Sequence, residues 1–421
     1  MTMNAKRRRA HDKLAALPGV RPVRRPLTTG REFDVYPEFD VYYVRTGRKS
    51  AHPLLVIPGG PGAASVGLYR AWRRRAAVAG LDVIMVEHRG VGLSRHDDTG
   101  ADLPPEALTV QAVVDDLAAV LDDAKVESAI VYGASYGTYL AAGLGVSHPA
   151  RVHAMVLDSP LLSGADIDEV RAQTRRVLWD GTGDSTGVAA KVRRLVGAGV
   201  ITDRDVPLIG DMYGVAGPEV LSRQLELLLA GHDWLWSAVG FGARNLLERK
   251  TPYQHEPDLV ERIAYRELNY GAEPDGGPLD PAVALREMAT GDAEFVAEPY
   301  DLVSAMPGFS WPTAVLSGGR DLTTPPAIAR RVAALIPDAV LVDLPTAGHS
   351  MLDTREHAAL QVCRAVAAGE MAELPSRTAQ LDALPANLTV RLLVNAIKVA
   401  ARAEAVVPDV VPRAVRQVTA S

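Results

Sequence analysis

The chain has 421 residues, 48% of them hydrophobic and 23% charged, proportions that exclude wholesale disorder, collagen-like repetition and coiled coil. Lys and Arg number 45 against 51 Asp and Glu, a formal charge of −6, so no global positive field exists to hold a polyanion and nucleic acid is not expected as a partner. Cys363 is the sole cysteine, which excludes an internal disulfide and multi-thiolate zinc sites and fits a reducing compartment.

The first twenty residues, from MTMNAKRRRA to Val20, contain no continuous apolar stretch of the kind a secretory signal needs, and a cytoplasmic protein is expected. Lys6 to Arg9, with Arg21, Arg24 and Arg25, reads as a flexible, solvated basic segment over 1–29. No window approaches the roughly 20 apolar residues of a spanning helix, so no membrane association is expected. FDVYPEFDVYYV, from Phe33 to Val44, is rich in β-branched and aromatic residues and suggests a hairpin turning at Pro37 and Glu38. Three apolar runs follow, each ending in a Gly-bearing loop: LLVIPGG (Leu54 to Gly60), LDVIMVEHRG (Leu81 to Gly90) and SAIVYGAS (Ser128 to Ser135). VHAMVLDSP (Val152 to Pro160) is a fourth. Runs that are apolar throughout, rather than alternating, suit strands covered on both faces, as in a parallel sheet. Between them, Thr109 caps a helix in which Val110, Val113, Val114, Leu117 and Leu121 share a face. Strand, helix, strand alternation predicts an α/β fold.

After Pro160 the alternation stops. It resumes at TAVLSGGRD (Thr313 to Asp321) and AVLVDLPTAGH (Ala339 to His349). The intervening stretch holds three of the five Trp and helix-forming sequence such as VLSRQLELLLAG (Val220 to Gly231), which predicts a mainly helical cap. The expected organisation is therefore a core over 30–160 and 306–369, a cap over 161–305 above the carboxyl ends of the strands, and a helical extension over 370–421. In that extension Val390, Val394 and Ile397 share a face. Packing against the core or self-association is expected there, and a homo-oligomer would form through it or through the cap.

The chemistry concentrates at Gly133-Ala134-Ser135-Tyr136-Gly137, between a strand-like run and a helix-like one, the setting of a nucleophile elbow. A serine hydroxyl needs an imidazole to take its proton, and the imidazole needs a carboxylate to fix its tautomer. Asp321 and His349 both fall on loops after strands and follow Ser135 in the order Ser, Asp, His. His52, His148 and His153 read as ordinary surface or packing residues, and Asp158 is the competing acid. Donors for a developing oxyanion are expected from the backbone N–H of Tyr136 and from Pro58-Gly59-Gly60-Pro61-Gly62. Gly60 is favoured there, with Gly59 as the alternative donor and a substrate-facing position. No metal or other cofactor is expected, since neither an HExxH pattern nor a cysteine cluster occurs.

IPGGPG (Ile57 to Gly62), EHRGVGLS (Glu87 to Ser94), GASYGTYLA (Gly133 to Ala141), SGGRDLTTPP (Ser317 to Pro326) and AGHS (Ala347 to Ser350) resemble the prolyl iminopeptidase and tripeptidyl aminopeptidase group of α/β-hydrolase serine peptidases. The likeness runs from Leu54 to about Leu352, strong in the two sheet segments and poor in the cap. Pro58 stands where the group commonly has His, and Glu87 where it commonly has Asp. The resemblance implies an α/β-hydrolase fold and removal of an N-terminal residue, often proline, from a short peptide whose free amine is held by cap carboxylates. Glu267 in YRELNYG is nominated for that role, with Glu226 and Glu256 behind it. Two other readings stay open: an esterase or other small-molecule hydrolase acting on small esters or amides, and a catalytically silent binding protein. If His349 is the base, activity should fall as pH drops through about 6 to 7.

Overall fold

Eight strands are formed by Val20–Pro26 (β1), Glu38–Thr46 (β2), Leu54–Ile57 (β3), Val83–Val86 (β4), Ala129–Ala134 (β5), Val152–Asp158 (β6), Thr313–Gly318 (β7) and Ala339–Leu344 (β8). The structure is a computed structural model that describes residues 3–27, 38–248, 250–289 and 294–406. The strands make one sheet in the order β1-β2-β4-β3-β5-β6-β7-β8. β1 pairs with β2, and β2 with β4, antiparallel; every other pairing is parallel. This is the α/β-hydrolase fold.

The apolar runs are strands because both of their faces are covered. Leu55, Ile57, Ile84, Val131 and Leu157 face one way, into a cluster with helices Val110–Asp123 (α3), Tyr136–Ser147 (α4) and Pro326–Leu335 (α12). Leu54, Val56, Met85, Ile130 and Val156 face the other, against Arg70–Val78 (α2) and Glu356–Ala367 (α13). The period-two split is what a pleated strand imposes on a run with no polar face. α3 begins as the sequence predicts, with the Thr109 hydroxyl accepting from Ala112 N, and buries Val110, Val113, Val114, Leu117 and Leu121.

The N-terminal segment corrects an expectation. Residues 5–15 form a helix (Ala5–Ala15, α1), and β1 extends the sheet to its edge. Three of its basic residues are held by carboxylates, Arg7 by Glu256, Arg24 by Glu38, Asp40 and Asp98, and Arg25 by Asp116, while Lys6, Arg8, Arg9 and Arg21 are exposed as expected. Pro22 and Pro26, which cannot donate to a ladder, are tolerated in β1 because it is an edge strand. The hairpin expected over Phe33–Val44 is corrected in part as well. β2 supplies its second half, but the strand it pairs with is β1, and 33–37 lies outside the described residues.

Between β6 and β7 the described residues form helices, including Asp166–Arg175 (α5), Thr186–Gly197 (α6), Val206–Ala216 (α7), Pro218–Leu229 (α8), Trp234–Glu248 (α9), Glu261–Leu268 (α10) and Pro281–Met288 (α11). They bury a cluster of their own around Leu178, Val192, Ile209, Leu221 and Leu225. The last helix, Leu388–Glu404 (α14), returns to this region and packs Ile397 and Ala401 against Val220, Leu227 and Leu235, leaving Leu388, Leu392 and Val399 on its exposed side. Among the described residues no helix is long and apolar enough to cross a membrane.

Forward connections from β3 and β5 run to opposite sides of the sheet, to β4 and β6 respectively. The crevice outside the carboxyl ends of β3 and β5 is therefore the topological switch point, where ligands bind in open α/β sheets.

Candidate active site

Ser135 leaves β5 at φ 50°, ψ −123°, a region that non-glycine residues occupy only when their surroundings enforce it. Two glycines permit the turn. A Cβ at Gly133 would lie 2.3 Å from the carbonyl oxygen of Gly137, and one at Gly137 would lie 2.2 Å from that of Ile57. The strand-to-helix turn thus closes only without side chains at those positions. Ser135 N donates to Asp158 O at 2.8 Å and Thr138 N to Ser135 O at 2.8 Å, fixing the turn from both sides.

Three segments far apart in sequence converge on this serine. His349 Nε2 lies 2.8 Å from Ser135 Oγ, and His349 Nδ1 lies 2.8 Å from Asp321 Oδ2. With a carboxylate facing Nδ1, the proton of the neutral ring belongs there, which leaves Nε2 to accept from the serine. Asp321 is 1% exposed. It accepts from the backbone N–H of Thr323 and Thr324, both at 2.8 Å, and from the Thr324 hydroxyl at 2.9 Å. Burial works to raise its pKa, but the His349 charge and these hydrogen bonds hold it below the ordinary carboxylate value. Burial opposes the cation at His349; the charge and hydrogen bond of Asp321, joined by the charges of Asp158 and Asp211, nevertheless lift it to about 9.

Asp158 does not touch the imidazole. Its carboxylate accepts from Tyr132 OH at 2.7 Å and from Met351 N and Leu352 N at 3.0 and 2.9 Å. It ties the end of β6 to the segment that carries His349. Its influence on the ring is through charge alone.

The loop after β3 lies directly over the serine. A Cβ at Gly59 would come within 3.1 Å of Ser135 Cβ and 3.8 Å of Oγ, so a side chain there would crowd the serine. Gly60 follows at φ 129°, in the region that favours glycine. Tyr136 is the first residue of α4, where the backbone N–H has no partner within the helix. Its hydroxyl lies 3.1 Å from His88 Nε2, and burial drives His88 down to about 4, keeping it neutral. Glu87 accepts from Val66 N at 2.9 Å and Leu93 N at 3.1 Å. Burial raises its carboxyl to about 7.

The structure does not bring the three nominated cap carboxylates to the serine as free anions. Glu267 accepts from Val110 N at 3.0 Å and so caps the amino end of α3, where negative charge is stabilised. Glu226 is exposed on α8 and paired with Lys191 and Arg223. Glu256 is buried and paired with Arg7. Sequence reasoning missed Asp211 on α7, which no described residue engages through a hydrogen bond or ion pair. It is open to solvent, yet surrounding protein raises its carboxyl to about 6, with the His349 charge lowering it and the Asp321 charge raising it. The contact that aims this helix at the triad is glycine on glycine: a Cβ at Gly348 would lie 2.6 Å from the carbonyl oxygen of Gly214.

Residues 52–181 match the family model described as alpha/beta hydrolase fold. Among solved structures the chain is similar to a thermophilic esterase from Thermogutta terrifontis, at 18% identity and TM-score 0.45, covering 83% of this chain and 99% of that one. It is similar also to an esterase from Exiguobacterium antarcticum, at 15% identity and TM-score 0.44, covering 78% and 95%. A proline iminopeptidase from Mycobacterium smegmatis matches at 19% identity and TM-score 0.43, covering 86% and 99%. The match covers the first core segment, and the strand order of the described residues is that of the fold the model describes.

Proposed function

We propose that the protein is a serine aminopeptidase that releases the N-terminal residue of short peptides through an acyl-enzyme on Ser135. His349 Nε2 takes the Ser135 proton as Oγ attacks the carbonyl carbon. The oxyanion forms under the Gly59–Gly60 loop and the N–H of Tyr136. The imidazolium, held by Asp321, then gives its proton to the leaving amine as the C–N bond breaks. Water, deprotonated by the same ring, hydrolyses the ester and restores the serine.

The observation that supports the peptidase reading is the Asp211 carboxylate: exposed, without a hydrogen bond or ion pair to any described residue, and carried on the helix whose Gly214 packs against Gly348 beside His349. An anion beside the proposed nucleophile that no described residue pairs is suited to receive a substrate cation, and an exopeptidase needs one to count from a free amine. An esterase has no use for it. The test compares proline arylamide, its N-acetyl derivative and p-nitrophenyl esters. Loss of rate on blocking the amine is expected, and Asp211→Asn should raise KM for the free-amine substrate alone. Equal rates for free and blocked amines would support the esterase reading instead, on the same nucleophile.

A further inference from the structure

The loop over Ser135 does not stand by itself. Its continuation, Gly62 to Ala64, is paired with a segment of the cap region between α9 and α10: Glu256 N donates to Gly62 O at 2.9 Å, Ala64 N donates to Gln254 O at 2.9 Å, and Ala63 and His255 form an antiparallel bridge. A Cβ on Gly62 would lie 2.7 Å from Pro257 Cα, so the two backbones are in direct contact. Where Gln254 to Pro257 sit, Gly62 to Ala64 must follow.

What holds Gln254 to Pro257 is a buried charge. Glu256 is 2% exposed, and its carboxylate accepts from Gly92 N at 2.9 Å and Tyr253 N at 3.2 Å. A buried carboxylate needs a counter-ion or it will protonate or leave. Arg95 is 3.7 Å away and engaged with Asp102 and Asp258. The bidentate partner comes from the other end of the chain: Arg7 of α1 donates from Nη1 to Glu256 Oε1 at 2.6 Å and from Nη2 to Oε2 at 3.0 Å. Tyr253 fastens the same point, with its hydroxyl donating to Arg7 O at 2.8 Å and its ring 4.9 Å from the guanidinium carbon.

We propose that Arg7 is a positioning residue for the oxyanion loop, acting through the Arg7–Glu256 pair on the backbone ladder between Glu256 and Gly62. The inference rests on the serine-hydrolase reading of Ser135. A donor displaced by about an ångström costs on the order of a hundredfold in rate, so partial release of the ladder should be visible in acylation before it is visible in folding.

The probe is a fluorophosphonate, whose phosphoryl oxygen occupies the oxyanion position as Ser135 Oγ attacks phosphorus and fluoride departs. Its second-order labelling rate is measured on the full chain and on Arg7→Met, Arg7→Lys and Arg9→Met, beside circular dichroism and kcat and KM on an ester substrate. Arg9 lies on the same helix, is exposed, and controls for loss of positive charge. The expected result is labelling slowed about tenfold or more in folded Arg7→Met, a lower kcat with KM within about twofold, an intermediate rate for Arg7→Lys, and the wild-type rate for Arg9→Met. Wild-type labelling rates in folded Arg7→Met overturn the inference, as do wild-type rates in Arg7→Lys should the methionine variant not fold. If the wild-type protein itself is not labelled, or Ser135→Ala is labelled equally, the nucleophile reading fails and takes the inference with it.

Discussion

At the scale of single residues, the charges around His349 set the working pH. An imidazolium cannot accept the Ser135 proton, so kcat/KM rises with pH as Nε2 is freed. Sequence reasoning places that rise at about 6 to 7, the range of an ordinary histidine. With three carboxylates acting on the ring, its pKa is raised to about 9, and the midpoint should be found well on the alkaline side of 6.5. Removing one of the negative charges by Asp211→Asn withdraws support from the imidazolium, so the midpoint should move to lower pH; an unmoved midpoint would dissociate Asp211 from the triad. Ser135→Ala should abolish turnover with an unchanged circular dichroism spectrum, because the turn is held by backbone bonds that the hydroxyl does not make. Asp321→Asn should lower kcat by orders of magnitude through the wrong tautomer. Asp158→Asn should act mainly on stability, since Asp158 bonds buried donors rather than the ring.

At the scale of elements, β3 to β8 are legible because each is a short apolar run with a Gly-bearing or Pro-bearing exit. Gly133 and Gly137 are legible as an elbow because their spacing around a serine has a steric cause. Gly137→Ala tests that cause: its methyl would meet the backbone at Ile57, a contact that no side-chain rotation relieves. Calorimetry should show a loss of about 3 kcal/mol or more, in the range of overpacking strain at a buried site. β1 is not legible, because VRPVRRP has neither alternation nor an apolar run. Arg24 and Arg25 are satisfied by Glu38, Asp40, Asp98 and Asp116, partners that only the folded sheet assembles. The cap carboxylates fail for the same reason. Glu267 and Asp211 look alike on two helices, and what separates them is that the amino end of α3 donates to one while, among the described residues, no donor bonds the other.

At the scale of the whole molecule, the cap meets the core where Gly214 rests on Gly348, one residue before His349. Gly348→Ala should push the two apart, lower Tm and shift the pH midpoint in the same direction as Asp211→Asn, since the cap carboxylate would recede from the ring; a lower Tm with an unmoved midpoint would mean the contact is only structural. The C-terminal extension belongs to the same body. Ile397→Ala should cost about 2 to 3 kcal/mol by removing buried methyls from its cluster with Val220, Leu227 and Leu235, read as a fall in Tm with kcat retained.

The distance in sequence between Ser135 and His349 also fixes a time order. During translation the elbow leaves the ribosome well before its base is made, so the nascent polypeptide carries a hydroxyl no more reactive than that of any other serine. Chemical competence arrives only after the whole cap and the last two strands have been synthesised.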